Sequence, residues 1–457
     1  MATVQKEWTS LIVGLGQTGL SVAYYLARKG IRFAVVDSRK SPPGKTELHE
    51  NFPDVMTEFG HFNSDTFVQA QQLIVSPGVA VATPAIQAAK QQGAEIIGDI
   101  ELFVRDVNNS TQTPIIAITG SNGKSSVTTL VAEMAEKAGW CVYAGGNLGT
   151  SSLELLQKPQ PDLYVMELSS FQLETTHSLQ ASSAVILNLC EDHMDRYDHF
   201  DDYVAAKRVI FKQTQSAVIN RDDDLVSALT STLAPETPQI SFGLDQPEEN
   251  QYGVKAAYLC KGKQRLMPTN EIKVPGQHNI SNALAALALG EAVNIPLKAT
   301  LNAIRAFTGL EHRTQWVAEI NQVQWFNDSK GTNVGATLAA LAGLSGKTVL
   351  IAGGQAKDAD FTPLLSVVIK KARAVILIGE DRDKIAKVLQ PSLKTLDKNS
   401  IPLVYAESMQ QAVTLAADLA QPQDNVLLSP ACASFDMFRS YIHRGEVFMD
   451  AVRSLPQ

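Results

Sequence analysis

Pro114-Ile115-Ile116-Ala117-Ile118-Thr119-Gly120-Ser121-Asn122-Gly123-Lys124-Ser125-Ser126-Val127-Thr128-Thr129-Leu130-Val131 is the stretch on which the reading of this chain turns. An apolar run too short for a helix leads into a turn with two glycines, and a Val/Leu/Ala pattern of helical period follows. A strand–loop–helix of this kind aims a row of backbone N–H groups and the helix dipole at an anion. Lys124 is then expected to reach a terminal phosphate, and Ser125 to ligate Mg²⁺. The loop departs from the eight-residue phosphate-loop pattern, because Ile118 stands at the first glycine position and the loop is shortened. A lysine capping an ordinary turn is the bland alternative, and GxxGKS after a buried strand is hard to explain that way.

Upstream lies a second glycine loop, Gly14-Leu15-Gly16-Gln17-Thr18-Gly19, again between a strand and a helix, with Asp37 ending the next strand. Read cold, this is the dinucleotide fingerprint, in which the acid holds a ribose. GxGxxG alone is a weak signal. The hydroxyl of Thr18 and the later turn Ser76-Pro77-Gly78 suit a diphosphate held by amides and hydroxyls, and neither identifies the base. Downstream, Glu167 ends the strand LYVME, and His193 follows AVILNL in Glu191-Asp192-His193-Met194-Asp195-Arg196. Residues at the C-terminal ends of parallel strands line the ligand crevice. Glu167, His193 and the phosphate loop are therefore expected to converge, as a second Mg²⁺ site or a general base. The bland alternative for Glu167 is an acid facing a helix dipole. Lys207 looks like an ordinary solvated helical lysine.

Short β-branched runs alternate with Ala/Leu-rich helical patterns in three separate blocks, which predicts α/β architecture with mainly parallel sheets. The expected domains are 1–102, 103–309 and 310–457, separated first by a turn-rich linker containing Asn108, Asn109, Ser110, Thr111 and Pro114. The polar stretch from Asp222 to Asn270 is expected to supply antiparallel strands, and a helix is predicted from about Asn279 to Glu291. At 457 residues several cores are the prior. The formal net charge of −8 argues against broad nucleic-acid or anionic-membrane binding. Four dispersed cysteines without a CxxC pair suit a reducing compartment. No signal peptide or membrane-spanning run is read, so the expectation is a soluble, cytoplasmic protein, taken to be a monomer.

Taken together, GLGQTG, SPG, GSNGKSS, ELSSFQLE, EDHMDR, AAK, GQHN, HRTQ, NDSKGTN, GGQAKDADF and SPACASFDMFRSYIHRG occur in the order seen in the Mur ligases, and the chain resembles that family end to end. ELSSFQLE with SPACASFD points within the family to its D-glutamate-adding branch. The resemblance implies a UDP-binding Rossmann-like N-terminal domain, a central P-loop-type ATPase domain and a Rossmann-like C-terminal domain. It further implies an ATP-dependent amide ligase acting on UDP-N-acetylmuramoyl-L-alanine and D-glutamate. By resemblance, Gln17, Thr18, Asp37, Ser38, Arg39 and Gly78 hold UDP rather than a nicotinamide cofactor, and Asn147 touches the muramoyl-alanine part. Gly120, Ser121, Asn122, Gly123, Lys124, Ser125 and Ser126 hold ATP, together with Asn279, Asn282, Arg313 and Asp328. Ser125 and Glu167 bind one Mg²⁺; His193 and a carbamylated Lys207 support a second. Lys330, Thr332, Lys357, Ser434, Phe435 and Tyr441 form the D-glutamate pocket. The departures are small: serines replace threonines in the phosphate loop, Gln355-Ala356 replaces an acidic and glycine pair, and Tyr441 replaces a phenylalanine. Alternatives are another Mur ligase, a folylpolyglutamate synthase, a nicotinamide-dependent oxidoreductase or a silent nucleotide-binding regulator.

Overall fold

The computed structural model describes residues 9–356, 358–394 and 401–456, so Lys357 lies outside the described residues. Within them the chain forms three sheets, each built from one of the three sequence blocks. The first is fully parallel, in spatial order Thr57–Phe59, Phe33–Asp37, Ser10–Val13, Gln72–Val75 and Glu95–Ile97. Leu11, Ile12 and Val13 are each 0% exposed, as expected of a strand covered on both faces by helices. Helix α1 (Gln17–Arg28) leaves this sheet so closely that a Cβ on Gly19 would lie 2.0 Å from the Gly14 carbonyl oxygen.

The middle sheet runs Gln264–Pro268, Tyr258–Lys261, Tyr252–Lys255, Gln239–Phe242, Ala217–Asn220, Ser183–Ile186, Ile115–Thr119, Leu163–Glu167 and Val142–Gly146. Only its 252–268 portion is antiparallel; Gln239–Phe242 pairs parallel with its neighbour. The pleat of the central strand sends Ile115 and Ala117 into one core and Ile116 and Ile118 into the other. The first of those cores is shared with the N-terminal sheet, because helix α2 (Asp99–Asn109) inserts Ile100, Phe103, Val104 and Val107 into it. The expected cut between 102 and 103 therefore falls inside a helix, and Asn108 and Asn109 close that helix instead of starting a linker. Helices α3 (Lys124–Lys137) and α5 (Gln277–Ala292) cover the opposite face, with α4 (Phe200–Arg208) between them in sequence.

The third sheet is ordered Gln315–Ile320, Val323–Asn327, Asn425–Leu428, Thr348–Gly353, Ala372–Ile378 and Leu403–Tyr405, antiparallel only at its first pair. Helix α6 (Val334–Gly343) follows its second strand, and α7 (Tyr441–Arg453) closes the chain. The C-terminal strand ends of the middle and third sheets face one another, as side-chain bonds from Arg313, Lys330 and Asn333 to Ser125 and Asn122 show. That is where a crevice is expected in α/β folds.

Candidate active site

The loop from Thr119 to Ser126 is shaped by glycine at two points. Gly120 and Gly123 have φ of +150° and +86°, and a Cβ on Gly123 would meet Asn282 Oδ1 at 2.6 Å. Such left-handed backbone favours residues without a Cβ. Asn188 fixes the tip: its Oδ1 accepts from Asn122 N–H at 2.8 Å, and its Nδ2 donates to the Asn122 carbonyl at 3.1 Å. Lys124 folds back over its own loop, donating to the carbonyls of Gly120 (2.7 Å) and Ser121 (3.0 Å). Surrounding protein lowers its pKa, partly offset by the nearby Glu167 and Asp192 carboxylates.

Charge of one sign accumulates around Ser125. Its Oγ receives Arg313 Nη2 at 2.8 Å and Lys330 Nζ at 3.2 Å. Burial lowers the pKa of both cations, Lys330 to about 8. Asp328 sits at the same cleft with Oδ1 bonded to Thr314 N–H and Oδ2 to Ser429 Oγ; burial raises its pKa to about 6. Glu167 is buried, and Asn147 donates to its Oε1 at 2.7 Å. Burial raises its pKa, but Lys124 and Asn147 outweigh that and hold the carboxyl ionised. Its Oε2 is buried with no hydrogen-bond partner. An orphaned carboxylate oxygen beside the Ser125 hydroxyl is the donor chemistry that Mg²⁺ takes. The residues present fit that ion, although no group of three His, Cys, Asp or Glu side chains forms a ready metal cluster among the described residues.

Lys207 is not on a solvated face. It is 2% exposed, and its Nζ lies 3.0 Å from the Gly120 carbonyl, 3.3 Å from Thr119 Oγ1 and 4.7 Å from the Tyr203 ring centroid. Burial and the neighbouring Lys124 push its pKa well down. His193 has φ of +60°, packs edge-on against Phe171 at 4.8 Å, and brings Nε2 to 3.7 Å from Asp192 Oδ2.

Next to the loop a cavity of about 320 Å³ is lined by Asn122, Phe242, His278, Asn279, Asn282 and Arg313, among others. Asn282 donates to Asn279 Oδ1, and Asn279 to the Pro275 carbonyl, which aligns both amides along the wall. A smaller cleft joins Asp192 and His193 to Thr332 and Asn333. Ser434 is buried in the loop that follows Asn425–Leu428, whereas Phe435 is 71% exposed. The Tyr441 carbonyl accepts from Ser329 Oγ, and the Tyr441 ring lies 5.1 Å from Lys330 Nζ. Arg444, to which no role is attached by sequence, is fully buried and donates to Ser329, Cys432 and Ala433, knitting these strand-end loops together. An arginine on an otherwise apolar helix stripe is the one signal that could have found it.

The first glycine loop is arranged differently. Asp37 Oδ2 accepts from Leu15 N–H at 2.7 Å, and the same carboxylate takes Arg39 N–H, Nε and Nη2. The carboxylate that would hold a ribose in the dinucleotide reading is thus committed to the loop and to Arg39. Gln17, Ser38 and Gly78 are exposed, Thr18 is half-buried, and the Arg39 side chain is 53% exposed. Arg196 of the middle unit donates to the carbonyls of Pro77 and Val79 and stacks 4.3 Å from Phe171, so the SPG turn is tied to the second site.

Family models match along most of the chain: the MurD-like N-terminal domain of Mur ligases over 9–98, the Mur ligase middle domain over 118–290, and the Mur ligase glutamate ligase domain over 312–432. A protein of Nitrosococcus oceani named UDP-N-acetylmuramoylalanine–D-glutamate ligase is 51% identical over 457 residues, covering 99% of this chain and 98% of its own. One of the same name from Pseudomonas syringae pv. tomato is 48% identical and covers 100% of both chains. Among solved structures, MurF of Acinetobacter baumannii aligns with TM-score 0.62 at 14% identity, covering 99% of this chain and 93% of its own. The UDP-N-acetylmuramate–alanine ligase of Thermotoga maritima gives 0.59 at 20%, covering 98% and 100%. Both carry the same three-unit fold, and with the identity to full-length relatives they place this chain in the Mur ligase family.

Proposed function

We propose that this protein is an ATP-dependent ligase that adds D-glutamate to UDP-N-acetylmuramoyl-L-alanine, a cytoplasmic step of peptidoglycan precursor synthesis carried out by a monomer. The observation that carries the chemistry is the convergence of Lys124, Arg313, Lys330 and an ionised, half-satisfied Glu167 on one phosphate-shaped loop. Full-length relatives of about half identity bear the ligase name.

The first glycine loop with Gln17, Thr18, Asp37, Ser38, Arg39 and Gly78 takes the uridine diphosphate end, and Asn147 takes the muramoyl-alanine part. The second loop takes ATP, with Asn279, Asn282, Arg313 and Asp328 along the wall of the adjoining cavity. A substrate carboxylate oxygen attacks the terminal phosphorus, the bond to ADP breaks, and an acyl phosphate forms. The D-glutamate amine then attacks the acyl carbon, phosphate leaves, and the amine loses a proton to His193. Lys124 and Arg313 neutralise charge that builds on the transferring group, and closure of the third unit keeps water from the acyl phosphate. Ser125 and Glu167 would hold Mg²⁺, and His193 with a modified Lys207 would support a second; bound there, the ions screen phosphate charge. Lys207 supports this because burial and the neighbouring Lys124 depress its pKa, which favours the neutral, nucleophilic amine. Bonding of the Nζ lone pair to CO₂ with release of one amine proton turns a group whose protonated form Lys124 repels into an anion that Lys124 attracts. Lys330, Thr332, Ser434, Phe435 and Tyr441, with Lys357, form the D-glutamate pocket.

Coupled ADP release with UDP-N-acetylmuramoyl-L-alanine tests this, comparing D-glutamate, L-glutamate, L-alanine and no amino acid. D-glutamate alone should drive sustained turnover; equal rates with L-alanine would favour another member of the family.

A further inference from the structure

Helix α6 starts on the phosphate loop itself. Asn333, its N-cap, accepts Ala336 N–H at 2.9 Å through Oδ1. The same oxygen accepts Asn122 Nδ2 at 3.2 Å, while Asn333 Nδ2 donates to Asn122 Oδ1 at 3.2 Å and to Asp192 Oδ2 at 3.0 Å. Two amides from residues 211 positions apart thus meet reciprocally, one on the tip of the loop and one on the third unit. Both lone-pair directions of the Asn333 oxygen and both of its protons are used, and the residue is 6% exposed. The approach is close: a Cβ on Gly335 would stand 2.7 Å from Cys190 Sγ and 3.3 Å from Asn122 Nδ2.

We infer that Asn333 is a positioning residue that latches the third unit onto the tip of the phosphate loop, acting on the ligase reaction through Asn122 and Asp192. The inference rests on the ligase reading above and extends it to a residue which that reading does not use. Two of the three cross-cleft bonds join neutral amides, which exchange with water at little net gain, and the third, to the Asp192 carboxylate, is charge-assisted. Asn188 holds the backbone of Asn122, the loop residue from which these bonds are made. Charge at position 333 is what the arrangement excludes. A carboxylate there would keep the helix cap and accept from Asn122, but it would face Asp192 across a hydrogen-bond distance and lose both donors.

Asn333→Asp is therefore the informative variant, read beside Asp192→Asn/Asn333→Asp. Calorimetry gives MgATP affinity, steady-state kinetics give kcat and the KM for D-glutamate, and small-angle scattering follows compaction with a non-hydrolysable MgATP analogue and the UDP substrate. Because Asp caps helices as well as Asn does, thermal stability should be unchanged. MgATP affinity should also hold, while D-glutamate-dependent turnover falls by about tenfold or more and compaction is reduced. Adding Asp192→Asn should recover most of both losses. Wild-type turnover and compaction in Asn333→Asp, or losses that Asp192→Asn leaves untouched, would overturn the latch. Failure of the wild-type protein to bind MgATP would instead sink the ligase reading. Should Asn333→Asp not fold, Asn122→Ala and Asn333→Ala decide: a linked pair gives strongly non-additive losses, and simple additivity contradicts it.

Discussion

Both glycine-rich loops leave a buried parallel strand and open a helix, yet they spend their polar groups in opposite ways. In the first, Asp37 turns inward to the Leu15 amide and clamps Arg39, and Ser76 Oγ donates to the Gly14 carbonyl. What it leaves for a ligand is backbone, hydroxyls and one held guanidinium. In the second, Lys124, Lys207, Arg313 and Lys330 crowd a loop with Glu167, Asp192 and Asp328 nearby as counter-charges, and burial depresses the pKa of every one of these cations. Positive charge left unneutralised in a site closed to water is costly unless an anion arrives. On the proposed function, the first loop holds and the second reacts. Strand–loop–helix geometry alone does not separate the two; the charge around it does.

If that contrast is right, variants in the two loops should fail differently. Lys124→Ala should lower D-glutamate-dependent ADP release by about 10³-fold or more, since it removes charge stabilisation at the transferring group; near-normal release would erase the distinction. Lys207→Ala should cost about 10²-fold in kcat while leaving affinity for the UDP substrate intact by calorimetry, and a fully active variant would return Lys207 to a packing role. In the first loop Asp37→Asn loosens Arg39 and the Leu15 turn, so the KM for the UDP substrate should rise about tenfold with kcat nearly unchanged. An equal fall in kcat there would mean that the first loop also takes part in chemistry. The smallest effect is a pH dependence. Lys330 has its pKa lowered to about 8, so its ammonium is present below that pH and lost above it. The KM for D-glutamate should climb a few-fold as pH passes through about 8, and Lys330→Arg should flatten the profile; a flat profile in the wild-type protein would detach Lys330 from the pocket.

The sequence made the three α/β blocks and the phosphate loop readable because strand, glycine turn and helix are local patterns of strong period. Three-residue strands such as Thr57–Phe59 and Leu403–Tyr405 carry no period to read, and the edge strand Gln315–Ile320 (QWVAEI) lacks the strict apolar–polar alternation that would mark it. Helix α2 hid its ends because its turn-forming asparagines sit in the last helical turn. Lys207 illustrates the harder case. A lysine amid alanines on a helix looks solvated, and only the packing of α4 under the phosphate loop turns it inward. The resemblance implies its proposed role, and the burial of its amine under the loop is consistent with it. Asn333 carried a readable signal, an asparagine just before a helical pattern, but its second use across the cleft depends on two units meeting. Lys357 lies outside the described residues, so its place in the pocket stays with the resemblance.

Isotope transfer tests the reactive character of the second loop most directly. With ¹⁸O in the alanyl carboxyl group of the UDP substrate, MgATP and D-glutamate, the phosphate released should carry one labelled oxygen for every amide formed. Phosphate free of label at full amide yield would mean that the terminal phosphate of ATP never passes to the substrate acid.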